Sequence, residues 1–187
     1  TTALPNGGNH IVHGRDNSST SMAVDGDNVY ITWTDMANSD VRAYYSYSND
    51  AGATFSTPVQ FGLNTVGSGY YHLMPNVAAD NGKMSLTWYA VDSVSFETQY
   101  VMAESQNAGQ SFSGYAAIGS GPTDFMNENA QDFYGDYNAS EKNDCFTYSV
   151  FTDGRTGSPV VYFVRKNGCV MSVDEISAIN SGIIVQD

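Results

Sequence analysis

The stretch Ser48-Asn49-Asp50-Ala51-Gly52-Ala53-Thr54-Phe55 decides how the rest of the chain is read. It separates an extended run, Val41 to Tyr47, from a second short run through Val59 and Phe61. Between two strands such a stretch is a hairpin connection, and each fixed residue has a task in it. Asp50 offers carboxylate oxygens to backbone N–H groups of the turn, and Gly52 supplies a positive φ without steric cost. Thr54 bonds locally, and Phe55 returns an aromatic ring to the sheet. The spacing Ser-x-Asp-x-Gly-x-Thr-Phe therefore specifies architecture before it specifies chemistry.

A weakened copy follows as Ser105-Gln106-Asn107-Ala108-Gly109-Gln110-Ser111-Phe112. Asn107 stands for the aspartate and Ser111 for the threonine, so hydrogen bonding survives but the charge does not. This pattern resembles the Asp-box, or bacterial neuraminidase repeat, of the β-propeller superfamily that includes sialidases. The resemblance covers about Thr20 to Cys169.

The surrounding sequence repeats in the same order. Ser21 to Val24 reads as a strand, Asp25-Gly26-Asp27-Asn28 as a hairpin turn, and Val29 to Asp35 as an alternating strand with Val29, Ile31 and Trp33 on one face. Met74 to Ala79, the turn Asp80-Asn81-Gly82, and Lys83 to Trp88 with Met84, Leu86 and Trp88 on one face return that arrangement. Thr98 to Glu104 and Phe112 to Ile118 complete it. Trp33 and Trp88 lie 55 residues apart, and Asp50 and Asn107 lie 57 apart. A four-stranded unit recurring at such a period is the signature of a propeller blade. A third unit is more divergent. Phe133 to Ala139 resembles the Gly-Asp-Tyr segment of inner strands in Asp-box propellers, and Phe151-Thr152-Asp153-Gly154-Arg155 resembles the family's aromatic-x-Asp-x-Arg ending. Its third strand is expected over Pro159 to Val164, and Thr147 and Ser149 replace the apolar face. The fold class expected is all-β. It is a propeller-like array of about three four-stranded blades with Asp-box turns, a partial propeller open to completion by oligomerisation. A polar N-terminal segment spans 1–17, the units span about 18–62, 73–118 and 133–169, and an edge-strand segment spans 170–187. No helix is expected, because the apolar period is two wherever it can be counted.

Composition narrows the partners. The 187 residues suffice for one domain with a sizeable core. No apolar run approaches the ~18 residues of a membrane span. Only seven Lys and Arg stand against 20 Asp and Glu, a net charge of −13, which argues against nucleic acid because phosphate binding needs a basic surface. The polar, Asn-, Ser-, Thr-, Gly- and Tyr-rich composition fits a secreted β protein. The chain begins at Thr1 without methionine or a leader-like apolar run, which reads as a processed chain or an excised fragment. Asn17 and Asn138 head glycosylation triplets. Cys145 and Cys169 are expected to form a disulfide in a secreted protein, against the alternative of two buried thiols.

No metal site is assigned. His10, His13 and Asp16 lie on an irregular segment without the geometry of a helical zinc pair. Asp25 and Asp27 read as turn formers, with Ca2+ left open and no cofactor called for.

The resemblance implies the chemistry to be weighed. Sialidases hold the substrate carboxylate with three arginines and use a tyrosine–glutamate nucleophile pair and an aspartic acid–base. This chain has Arg15, Arg42, Arg155 and Arg165, with Arg42 and Arg165 on expected outer strands away from the central face. The catalytic candidates are Asp35, Asp136, Asp153 and Arg155, since glycosidases need two acids across the bond. Each of the three aspartates also suits a strand end or turn. Tyr70, Tyr71, His72, Tyr134 and Tyr137 lie at blade entrances and are the ligand-binding candidates, whereas Trp33 and Trp88 are expected in the core. The function expected is an extracellular, non-catalytic module for recognising a glycan or protein, or for self-assembly as a homo-oligomer or polymer. The alternatives are a structural subunit of an extracellular filament or surface layer, and a sialidase-like glycoside hydrolase. One scaffold carries many functions, so the fold leaves these open.

Overall fold

Alternating patterning over runs of five to eleven residues, punctuated by Gly, Asn and Asp, produces antiparallel strands throughout. The computed structural model describes residues 19–37, 40–61, 69–119, 121, 123–124, 137–155 and 160–168. The first sheet is β1 (Ser21–Asp25), β2 (Asn28–Ala37), β3 (Asp40–Ser48) and β4 (Val59–Phe61), paired in that order. The second is β5 (Tyr70–Asp80), β6 (Lys83–Asp92), β7 (Glu97–Ser105) and β8 (Ser113–Ala117), with a short β9 (Thr123–Asp124) also pairing β7. The third is β10 (Ala139–Asn143), β11 (Phe146–Asp153) and β12 (Val160–Asn167). Among the described residues there is no helix, and so none long and apolar enough to cross a membrane. The two-residue β9 had no counterpart in the expected pattern. Residues 1–18 and 169–187 lie outside the described residues, and with them the expected terminal segments.

The sheets stack face to face like blades. Each blade has a leading face toward the blade before it and a trailing face toward the blade after it. The trailing face of the first blade presents Tyr30, Ala43, Tyr45 and Phe61 to the leading face of the second, Val77, Met84, Leu86, Trp88, Val101 and Ala103, and all are buried. Phe61 meets the Trp88 ring edge-on at 5.0 Å. The trailing face of the second blade packs Tyr89 and Tyr100 against Phe151 of the third, with Tyr100 and Phe151 stacked at 4.1 Å. Trp33 and Trp88 are 1% and 0% exposed. Burying aromatic rings stabilises both interfaces, at about 25 cal/mol per Å2 of apolar surface removed from water.

The second interface also holds polar groups. Lys142 Nζ lies 3.2 Å from Glu104 Oε1 and donates to Ser85 Oγ at 3.1 Å and to Thr147 Oγ1 at 3.2 Å. Beside it, Tyr100 Oη donates to Thr87 Oγ1 at 2.9 Å, and Asn138 Nδ2 donates to Tyr100 Oη at 3.2 Å. Buried polar groups persist because each finds a partner here.

The turn ends of the blades are tied together by a repeated device. Ala51 N, Ala108 N and Gly168 N donate to the carbonyls of Asp27, Gly82 and Cys145, at 2.9, 2.9 and 2.8 Å. Each bond joins the connection after a blade's third strand to the hairpin between its first two. Asp25 Oδ2 then accepts from Gly82 N, and Asp80 Oδ2 from Asp144 N, both at 2.6 Å, linking each blade's hairpin to the next. In the Asn81-Gly82 hairpin both residues have positive φ, 56° and 73°, as a type I′ turn requires.

Candidate functional site

Antiparallel pairing places every blade's first strand entrance and second strand exit on one edge. Tyr70 pairs with Asp92, and Asp153 pairs with Val160, so these residues share the rim opposite the turns just described. The rim therefore gathers Asp35, Tyr70 to His72, Asp92 to Phe96, Tyr137 and Asn138, Asp153 and Arg155. Relative to the hairpin closures, Asp35, Ala90 and Asp153 occupy equivalent register positions. A carboxylate thus recurs at this position in the first and third blades only.

Asp153 is buried, and Arg155 holds it. Arg155 N and Nε donate to Asp153 Oδ1 at 2.8 and 2.9 Å, and Arg155 Nη2 donates to Oδ2. The guanidinium lies 4.7 Å over the Tyr162 ring. Gly119 makes room for it, since a Cβ there would stand 2.9 Å from Arg155 Nη2. A carboxylate bridged on both oxygens by its own arginine is an ion pair that fixes a rim loop, and it is poorly placed to shuttle protons.

Arg42 is a second anchored charge. It lies on β3 opposite Asp35 but is 9% exposed, and its Nη1 donates to the Tyr70 carbonyl of the next blade. From that strand it supports the rim where Tyr70 and Tyr71 enter. His72 is 0% exposed, with Nδ1 accepting from Trp88 Nε1 at 2.9 Å. Burial first, and Arg42 second, push its pKa down to about 4. This candidate is therefore a neutral strut beneath the rim, out of reach of a ligand.

Asp35 is half-buried on the rim. Tyr137 is 85% exposed and Tyr70 and Tyr71 are half-buried. Asp92 Oδ1 accepts from Val94 N and Ser95 N, each at 2.8 Å, holding its carboxyl below the usual range and raising Val94 to 86% exposure. Asn138 uses its amide nitrogen twice, toward Met74 O at 2.8 Å and Tyr100 Oη at 3.2 Å. A glycan attached there would remove one of those donors, so the Asn138 triplet is a poor modification site. Asn17, Tyr134, Asp136 and Cys169 lie outside the described residues. Among the described residues no three His, Cys, Asp or Glu side chains are grouped to hold a metal ion.

The eight-residue turns are built alike. Ser48 Oγ accepts from Asp50 N and Gly52 N at 3.2 and 2.9 Å, while Asp50 accepts from Thr54 N at 2.8 Å and Thr54 Oγ1 at 2.6 Å. In the copy, Ser105 Oγ accepts from Asn107 N and Gly109 N at 3.3 and 2.9 Å. Asn107 accepts from Ser111 N at 3.0 Å and donates to Ser111 Oγ at 2.9 Å. Phe55 is half-buried, and Phe112 meets Tyr45 of the preceding blade edge-on at 5.2 Å. Both turns lie at the edge away from the rim and serve the fold.

Stacked antiparallel sheets with a shared rim define an all-β, propeller-like arc. No family model matches the sequence, and no curated protein sequence is similar to it. Among solved structures the chain resembles β-propeller glycoside hydrolases. It aligns with a family 43 enzyme from Xanthomonas citri, solved with xylose, at 16% identity and a TM-score of 0.50, covering 75% of this chain and 40% of that one. It also aligns with the catalytic domain of a family 62 α-L-arabinofuranosidase from Coprinopsis cinerea at 11% identity and 0.50, covering 81% and 46%. A xylan β-1,4-xylosidase from Bacillus halodurans gives 18% and 0.50, covering 87% and 30%. At these identities the likeness is one of fold, and the chain spans less than half the length of each.

Proposed function

We propose that the protein is an extracellular propeller module that binds carbohydrate on its rim without hydrolysing it. The observation that carries this reading is the state of the rim's charged groups. Asp153 is bridged by Arg155 and Arg42 is bound to the Tyr70 carbonyl, while Tyr137 is exposed and Tyr70 and Tyr71 are half-buried beside them. Aromatic faces beside backbone and Asp/Asn hydrogen-bonding groups suit sugar rings. The fold of the structural neighbours is one on which carbohydrate sites are built, which supports the ligand class and leaves the reaction unassigned. In this reading the turns at 48–55 and 105–112 are Asp-boxes. The third blade is closed by a Cys145–Cys169 disulfide, supported by the Gly168 N to Cys145 O bond that brings the end of β12 beside Cys145 and suited to secretion.

The test is titration of the purified chain with xylo-oligosaccharides and sialosides on an array and by calorimetry, alongside aryl-glycoside reporters. Saturable binding without reporter turnover is expected, weakened about tenfold, or ~1.4 kcal/mol, by Tyr137→Ala. Turnover that is lost in Asp35→Asn would replace this reading with a hydrolase, and no binding to any glycan would end it. Alkylation with and without reductant, read by intact mass, tests the disulfide.

A further inference from the structure

The three blades share one register, and this exposes a mismatch between them. Counting from the hairpin closures Asp25–Asn28, Asp80–Lys83 and Asn143–Phe146, Thr32, Thr87 and Val150 are equivalent on the second strands. Across the ladder, Tyr45, Met102 and Phe163 are equivalent, as are Ala43, Tyr100 and Val161. All nine lie on trailing faces. In the first blade Thr32, Tyr45 and Ala43 are 0%, 5% and 0% exposed, and in the second Thr87, Met102 and Tyr100 are 0%, 2% and 3% exposed. In the third blade Val150, Phe163 and Val161 are 38%, 65% and 76% exposed. The first two sets are covered by the leading face of the blade that follows. The third set is equally apolar, and among the described residues no blade follows it.

The other end of the arc shows the converse. Met22, Val77 and Ser140 are equivalent on the leading faces, as are Val24, Ala79 and Lys142. Val77, Ser140 and Lys142 are at most 8% exposed and Ala79 is half-buried, whereas Met22 and Val24 of the first blade are 64% and 56% exposed. The turns agree. A Cβ on Gly109 would stand 3.1 Å from Met84 Sδ of its own blade and in contact with Tyr30 of the preceding blade at 3.5 Å, whereas one on Gly52, its equivalent, meets nothing nearer than Val29 of its own blade at 4.0 Å.

We infer that the open trailing face of the third blade is covered by the leading face of the first blade of a second copy of this chain, and reciprocally, closing two arcs into one ring. The missing surface is of a defined kind, a leading blade face with apolar residues at the positions of Met22 and Val24, and on the chain's own first blade those two residues are exposed while Trp33 on the same face is buried. Two arcs of three blades give six, within the ~4–8 of closed propellers. The two contacts are related by a two-fold axis, the third blade of each copy meeting the first blade of the other, so the assembly closes with two copies. Apolar stripes left open on both flanks would otherwise invite non-specific association.

The experiment is light scattering on the purified full chain, with Phe163→Asp and Met22→Asp made separately. Both residues are solvent-exposed within one chain, so neither variant disturbs the packing of the arc, and circular dichroism checks this. The expected result is a single species of about twice the 20.2 kDa chain mass, reduced to the single-chain mass by either substitution. A monomeric parent chain overturns the inference and assigns the flanks to further blades of a longer chain. Particles larger than two chains overturn the closed ring in favour of an open assembly. A dimer that survives both substitutions overturns the assignment of the surfaces.

Discussion

His72 shows how much a single side chain in this fold depends on its neighbours. Its Nδ1 accepts the indole hydrogen of Trp88, so the neutral ring carries its proton on Nε2. Protonating Nδ1 would break that bond in a site without water access, which agrees with a pKa lowered from 6.5 to about 4. Between those values the unfolded chain binds the proton and the folded chain does not, so stability falls as pH drops from 6.5 toward 4 and is fully present above 6.5. The contribution is on the order of 3 kcal/mol. Urea denaturation at intervals from pH 7.5 to 4 is expected to show this slope in the parent chain and a flattened one in His72→Gln, whose amide oxygen still accepts from Trp88. Equal slopes would remove His72 as the cause. Asp50 acts in a lower window. Hydrogen bonds from Ser48 and Thr54 lower its pKa from 3.8 to about 2, so its contribution is present above 3.8 and lost as pH falls through 2. Asn107 shows that an amide makes the same turn. Asp50→Asn is therefore expected to preserve stability at neutral pH and to remove part of the acid sensitivity between pH 4 and 2, read from the same denaturation series. A large loss at neutral pH would mean that the charge itself holds the turn.

At the scale of the strand and sheet, the second interface is specified by the Lys142–Glu104 pair. Lys142 Nζ has three oxygen neighbours, Glu104, Ser85 and Thr147, and its side chain is 0% exposed. Gly168 sits over the carboxylate so closely that a Cβ would fall 1.7 Å from Glu104 Oε2. Lys142→Ala leaves a buried carboxylate uncompensated and is expected to cost roughly 3–5 kcal/mol in urea denaturation, whereas an apolar replacement of both partners costs much less. A loss below about 1 kcal/mol would mean that water reaches Glu104. The sequence announces half of this interface. Thr147 and Ser149 interrupt the apolar alternation that Met84, Leu86 and Trp88 keep, so the polar character of the third blade's leading face is readable. The partners Ser85, Thr87 and Glu104 are not, because nothing local says which face of the second blade meets it. The same limit applies to Arg42, whose strand is evident but whose guanidinium reaches a carbonyl 28 residues away. Turns and strand alternation are local and so were legible. The rim was legible only as a set of blade entrances, because the bonds that hold His72 and Arg42 are made between elements, whereas the Asp153–Arg155 pair spans two residues.

For the whole molecule, the decisive quantity is the balance between apolar flanks and a net charge of −13. Joining two arcs brings two strongly acidic bodies together, so their mutual repulsion opposes the ring proposed above. Salt shortens the range of that repulsion, from ~30 Å at 0.01 M to ~8 Å at 0.15 M, without weakening contact between Val161, Phe163, Met22 and Val24. Among the described residues one positive group lies on the open trailing face, Arg165, with its guanidinium 5.0 Å over the Phe146 ring. If apolar burial drives association, the two-chain fraction in sedimentation velocity rises from about 0.01 M to about 0.5 M salt, because repulsion between like-charged arcs is screened. If Arg165 and acidic groups of the second copy drive it, the fraction falls over the same range, and Arg165→Gln reproduces that fall at low salt. The expected outcome is the rise, with Arg165→Gln close to the parent chain. That result would make the flanks true counterparts of the interfaces already present inside each arc, where rings and aliphatic groups at these same register positions are buried.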